Sequence, residues 1–170
     1  MKLKCSASGL AAIIAIAFVC VSTLAHAEPI KIEAVLSQKE QLRLEFADGS
    51  KRYFAMVRRE GKATGQGPIV GAITTEWGMH DVTPGVGFNS HGYLVFAMPD
   101  GDIAYLKTQL RATTVPGPDG KPRNLLNGLW EVVGASGKLK GLQGAGTLSI
   151  NAVGPTDRQW ILDGEMVQVK

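Results

Sequence analysis

The chain has 170 residues, 45% of them hydrophobic, and a formal net charge of +3 at pH 7. That length suits a leader plus one domain rather than two, and a domain of this order buries about 68–70% of its unfolded surface, enough to hold without staples. Lys2 and Lys4 sit at the extreme N-terminus, so the remainder is close to neutral and lacks the concentrated basic face that nucleic-acid binding uses.

The first predicted element is a leader. Met1-Lys2-Leu3-Lys4 is basic, residues 10–24 are apolar, and Ala25-His26-Ala27 places small residues ahead of Glu28. A charged start, an apolar middle and an A-x-A site make a secretory signal. Cleavage is therefore expected before Glu28, removing residues 1–27 and leaving 28–170 as a single periplasmic or secreted domain. The apolar stretch is about fifteen residues, short of the ~20 that a spanning helix needs, so no membrane span is expected after removal. Phe18 and Val19 precede Cys20 where lipid attachment needs small residues, which rejects a lipid anchor. Both cysteines, Cys5 and Cys20, fall in the leader. The exported domain then has no disulfide, no thiolate nucleophile and no cysteine metal ligand.

Beyond the leader the apolar spacing runs in twos and glycine and proline punctuate it, which predicts strands rather than helices. Leu42, Leu44 and Phe46 alternate with Arg43 and Glu45 before Asp48-Gly49, a dipeptide suited to tight hairpin turns. In the return strand Tyr53, Ala55 and Val57 share one face, and Phe54 and Met56 the other. Both faces are apolar, so this strand is expected between a core and a second cover. Arg58, Arg59 and Lys62 read as a solvated strand end. A strand over 68–77 is followed by an irregular glycine-rich loop over 78–92. A second hairpin turns at Pro99-Asp100-Gly101, and the proline-rich segment 116–122 reads as a surface loop that cannot join a ladder.

The predicted strands are 40–46, 51–58, 68–77, 92–98, 102–113, 128–134, 144–152 and 158–169, with 30–36 as a short extra one. Eight antiparallel strands in hairpin order predict an all-β, up-and-down barrel, which leaves no open edge; a β-sandwich is the alternative. Such a barrel has room inside for side chains or for one small ligand.

The run from Trp130 to Leu148, with Gly134-Ala135-Ser136-Gly137, Gly141, Gly144 and Gly146, resembles the GGTGxFxGaxGxGt segment of the allene oxide cyclase-like and dirigent-like β-barrel superfamily. The Asp100-Gly101-Asp102 hairpin with Ile103 and Tyr105 fits the same barrels, and the resemblance covers roughly 91–152. It departs at the first glycine pair, which reads Gly-Ala-Ser-Gly rather than Gly-Gly-Thr-Gly. The resemblance implies a barrel in which a strand ends at Gly134, a short turn carries Leu139 and Leu142 inward as a plug, and Gly144 and Gly146 restart the ladder. Members of that superfamily include cyclases and guides of radical coupling. No position here matches a catalytic residue of the plant enzymes, so no role is carried over; fold alone does not transmit function.

Two histidines follow the leader, His80 and His91, one at each end of the predicted 78–92 loop. With Asp81 or Glu76 they can form either a two-histidine, one-carboxylate metal site or an acid–base pair with a carboxylate orienting the imidazole. No tight histidine spacing supports a metal, and none is expected, nor any other cofactor. The plain alternative is a pair of exposed loop histidines. Trp77, Tyr93, Tyr105 and Trp130 are the candidate ligand-binding aromatics, set against ordinary core filling. Strand parity constrains them: Ile69, Ile73 and Trp77 share a face and Glu76 and His80 the other, so Trp77 and Glu76 cannot both face inward without a bulge. Gly61-Lys62-Ala63-Thr64 lacks the glycine and hydroxyl of a phosphate loop, and no nucleophile elbow is present.

Three functions fit these residues. The favoured one is an exported barrel that binds a small apolar or aromatic molecule. The second is a lyase, isomerase or cyclase using one acid–base group from 76–91. The third is a structural envelope protein whose barrel is only a scaffold.

Overall fold

The computed structural model describes residues 26–169; of the leader expected over 1–27, residues 1–25, with both cysteines, lie outside the described residues. The strands are β1 (Glu28–Glu45), β2 (Tyr53–Gln66), β3 (Ile73–Thr83), β4 (Gly87–Ala97), β5 (Ile103–Pro116), β6 (Pro122–Ala135), β7 (Leu142–Ala152) and β8 (Arg158–Gln168). Each pairs antiparallel with the next, and β1 also pairs with β8, from Glu28↔Met166 to Leu36↔Arg158. The sheet is a closed eight-stranded barrel. That closure confirms the up-and-down barrel and excludes the sandwich. Among the described residues no helix is long and apolar enough to cross a membrane.

Several boundaries differ from those the sequence predicts. The 30–36 and 40–46 segments are one continuous strand, β1, interrupted by a register shift between Gln38 and Glu40. One extra residue reverses which side chains face inward. Before the shift Ile30, Ile32, Ala34 and Leu36 are buried; after it Gln41 and Arg43 face inward, beside Val57 and Ala55. Leu42, 73% exposed, and Leu44 are turned to the outside. The predicted second cover over β2 is absent among the described residues: Met56 and Trp77 lie open on the outer face.

The predicted 68–77 strand begins only at Ile73. Residues 67–71 form a turn, closed by Val70 N–H to the Gly67 carbonyl and Gly71 N–H to the Ala63 carbonyl. That turn folds Ile69 and Ala72 into the core. The predicted 78–92 loop is mostly strand: β3 runs on to Thr83, β4 starts at Gly87, and Gly78 pairs with Gly92 in the ladder. These glycines mark space on the inner face, not chain reversal. Pro116 and Pro122 also stand in register as the last and first residues of β5 and β6, an end position where a missing N–H costs little.

One end of the barrel is packed shut. Ile30, Ile69, Ala72, Leu142 and Met166 join Leu94, Phe96, Leu106, Trp130 and Leu162 in one buried cluster. Each large side chain there contributes about 1.5–3 kcal/mol of transfer free energy. A single 3-10 turn, Gly137–Leu139, brings Leu139 into the same cluster. Asp102 fixes that turn by accepting from Lys138 N–H at 3.0 Å. A side chain at Gly137, whose φ is +59°, would collide with the Asp102 carboxylate, so this glycine is required by contact as well as by conformation.

Candidate functional site

The opposite end, formed by the C-termini of β1, β3 and β7 and the N-termini of β2, β4 and β8, holds a cavity of about 310 Å³. Tyr53, Val57, Val82, Phe88, Ile150 and Trp160 supply its apolar wall, and Gln38, Arg43, Arg59, His80 and Arg158 its polar groups. The β1 register shift adds Gln41 and Arg43 to this polarity. Without it the inward positions at the end of β1 would be leucines rather than Gln41 and Arg43.

Behind the wall lies a buried carboxylate. Glu76 is 1% exposed and stands directly opposite Arg59 in the β2–β3 register. Arg59 Nη1 donates to Glu76 Oε2 at 2.7 Å, and Glu76 Oε1 lies 3.2 Å from His80 Nε2. Glu76, Gly78 and His80 occupy alternate positions on one face of β3. The Glu76 and His80 side chains meet across Gly78, where an added Cβ would press on Glu76 Oε1 and lie 2.8 Å from His80 Nε2. The missing side chain at Gly78 is therefore what joins the acid to the imidazole. A buried ion pair with the Arg59–Glu76 geometry contributes little net stability, because desolvating both charges offsets their attraction. Its chemical capacity is clearer: a carboxylate holds and orients a histidine whose ring lines a cavity.

The predicted site residues are distributed on both sides of the wall. His80 faces the cavity. Asp81, the next residue, faces outward and accepts from Arg52 Nε at 2.8 Å; hydrogen bonding from Arg52 holds its carboxyl below the usual carboxylate range. His91 is exposed on the outer face, between Met79 and Gln109 of the neighbouring strands. His80 and His91 are thus on opposite faces, and the two-histidine, one-carboxylate arrangement is not formed. Trp77, at 54% exposure, Tyr93 and Tyr105 all stand on the outside, with Arg58 5.9 Å above the Trp77 ring. Trp130 is buried, and its Nε1 donates to the Asp163 carbonyl at 3.3 Å. None of these four aromatics lines the end cavity; Tyr53, Phe88 and Trp160 do.

Arg59 is the largest departure from the sequence reading. It is not a solvated strand end but an interior side chain, 8% exposed. Its signal was parity: Tyr53, Ala55, Val57 and Arg59 continue one alternating series, and Glu76 supplies the charge that lets the series end in arginine. Arg58, one step away, is on the outside and bridges Glu40 and Glu60.

No family model matches the chain, and no curated protein matches it. Among solved structures, a protein of unknown function from Clostridium acetobutylicum ATCC 824 is similar at 9% identity and TM-score 0.45, covering 85% of this chain and 99% of that one. A protein of unknown function from the DUF3224 family of Shewanella oneidensis MR-1 is similar at 18% identity and TM-score 0.40, covering 86% and 99%. Likeness at that level carries no argument about chemistry.

Proposed function

We propose that the chain is an exported barrel protein that binds one small molecule with an apolar or aromatic body in the cavity at the open end. The observation that carries this reading is the cavity of about 310 Å³ walled by Tyr53, Phe88, Ile150 and Trp160. A volume near 300 Å³ is at the lower bound of ligand pockets, which are mostly apolar with a few polar groups that fix orientation. Trp160 supplies the readout. Titrating the purified protein with a library of aromatic compounds changes tryptophan emission and raises the melting temperature. Trp160→Phe removes most of the emission change, while Trp77→Phe, on the outer face, does not. A library that produces neither signal overturns the reading.

Export belongs to the same proposal and is supported by the leader pattern in residues 1–27. Recovery from the periplasm or medium with Glu28 as first residue tests it. Membership of the allene oxide cyclase-like superfamily is supported by the run 130–148, whose short turn places Leu139 in the core. A second reading, an enzyme of the lyase, isomerase or cyclase kind, is favoured by the Glu76–His80 contact at the cavity. On that reading His80→Gln abolishes turnover of a bound ligand and leaves its affinity nearly unchanged.

A further inference from the structure

The ionisable groups of the open-end cavity are of one kind. Beside the neutral Gln38, Gln41 and Thr156, Arg43, Arg59, Arg158 and His80 line it, and among the described residues no aspartate or glutamate does. The buried carboxylate behind the wall, Glu76, is engaged by Arg59 and His80. Arg43 lies over the Tyr53 ring at 3.7 Å and reaches Glu45 at 3.1 Å on the rim. Arg158 differs from both. Its Nη1 donates to the Gly154 carbonyl at 3.3 Å and the Asp157 carbonyl at 2.7 Å, and among the described residues it forms no ion pair. Two backbone carbonyls orient a guanidinium without neutralising it. A planar fork held in this way is suited to a carboxylate, which it engages through two parallel hydrogen bonds.

Size gives a second constraint. A dry cavity of ~150 Å³ accommodates benzene, so about 310 Å³ has room for one or two rings and a small substituent.

Resting on the proposal that the cavity binds a small molecule, we infer that its ligand is a compact aromatic or cyclic carboxylate. The ring lies against Tyr53, Phe88 and Ile150, and the carboxylate accepts from Arg158 at the mouth. The inward tilt of charge excludes amines. It also distinguishes this site from a purely apolar pocket, which would bind an acid less well than its neutral amide.

The test is a matched series in which only the head group changes: 2-naphthoate, 2-naphthamide and 2-naphthylmethylamine, titrated calorimetrically into the full protein. The expected result is that naphthoate binds at least tenfold more tightly than the amide and that the amine binds most weakly. Raising NaCl weakens naphthoate and leaves the amide unchanged. Arg158→Gln brings naphthoate down to the affinity of the amide, and Arg158→Lys, which keeps the charge but loses the fork, gives an intermediate value. Lys107→Gln, on the outer face, changes nothing. Equal binding of acid and amide by the wild-type protein overturns the inference while leaving small-molecule binding intact; so does a preference that survives in Arg158→Gln. Failure of all three probes together with the wider aromatic library overturns the binding reading itself.

Discussion

The two ends of the barrel are built from the same strands and the same alternation, yet their interiors differ. At the closed end the inward positions are Ile30, Ile32, Leu36, Phe96, Leu106 and Leu162, all buried in one apolar cluster. At the open end the same strands turn Gln38, Arg43, Tyr53, His80 and Arg158 toward a cavity. The boundary on β1 is the register shift between Gln38 and Glu40. One end therefore bears the stability of the fold, while the other can hold polar groups whose partners are few and specific. That division gives one small barrel both a packed core and a cavity.

The comparison can be broken most directly at the closed end. Phe96→Ala removes a ring with no exposed surface and is expected to cost about 3–5 kcal/mol in urea unfolding. Phe88→Ala at the open end, where the ring already borders space, costs clearly less; equal losses would show that the two interiors do not differ. Of similar size is the effect of Glu76→Leu, which leaves Arg59 buried without its counter-charge and costs about 3–5 kcal/mol. Pairing it with Arg59→Met restores most of that loss, because the desolvation of both charges is then avoided.

Gly78→Ala sharpens the comparison. Its methyl group occupies the gap across which Glu76 and His80 meet, and overpacking there costs about 1–3 kcal/mol. The diagnostic readout is the His80 ring nitrogen resonances, which move as the Glu76 contact is lost; unchanged resonances would contradict the bridging role given to this glycine. The smallest effect lies outside the barrel. Asp81 has its carboxyl held low by Arg52, so the native state keeps it ionised to lower pH than the unfolded chain, where an aspartate titrates near about 3.9. Its contribution is present above that value and lost as pH falls through the lower folded value. The pair is partly exposed, which limits it to about 1 kcal/mol or less. Asp81→Asn is expected to melt slightly earlier than wild type at pH 6 and identically in strong acid.

Much of the fold was legible because a strand repeats every second residue and the barrel's interior is mostly apolar. The hairpin at Asp100-Gly101 follows from turn chemistry, and the inward plug of Leu139 and Leu142 was what the resemblance of the 130–148 run implied. What was not legible has physical causes that leave little trace in a single sequence. Ser37-Gln38-Lys39-Glu40 contains no glycine or proline to announce the shift in β1, so the exchange of Leu42 for Arg43 on the inner face is hidden. Gly78 and Gly92 look like loop residues because their actual role, leaving space beside Glu76 and His80, depends on neighbours in three dimensions. The site was half visible. Parity placed Glu76 and His80 on one face and Trp77 on the other, but the choice of which face is inside was made by Arg59. That residue lies seventeen positions from Glu76 in the chain and becomes its partner only when β2 and β3 pair. Phe88, Tyr53 and Trp160 were passed over as cavity aromatics for the same reason: each needs the complete ring of strands to define an inside.

That ring has its own consequence for the life of the chain. Because Glu28 at the start of β1 pairs with Met166 near the end of β8, the first strand to be synthesised must wait for the last before its second edge is covered. Until Arg158–Gln168 arrives, an intermediate carries bare ladders on both flanks, the kind of edge that recruits other chains. Loss of the chain from Arg158 onward, which removes the eleven residues of β8, would thus do more than shorten the protein. It would turn a self-contained cylinder into an open sheet prone to joining its own copies, a change that light scattering of the truncated chain would register directly.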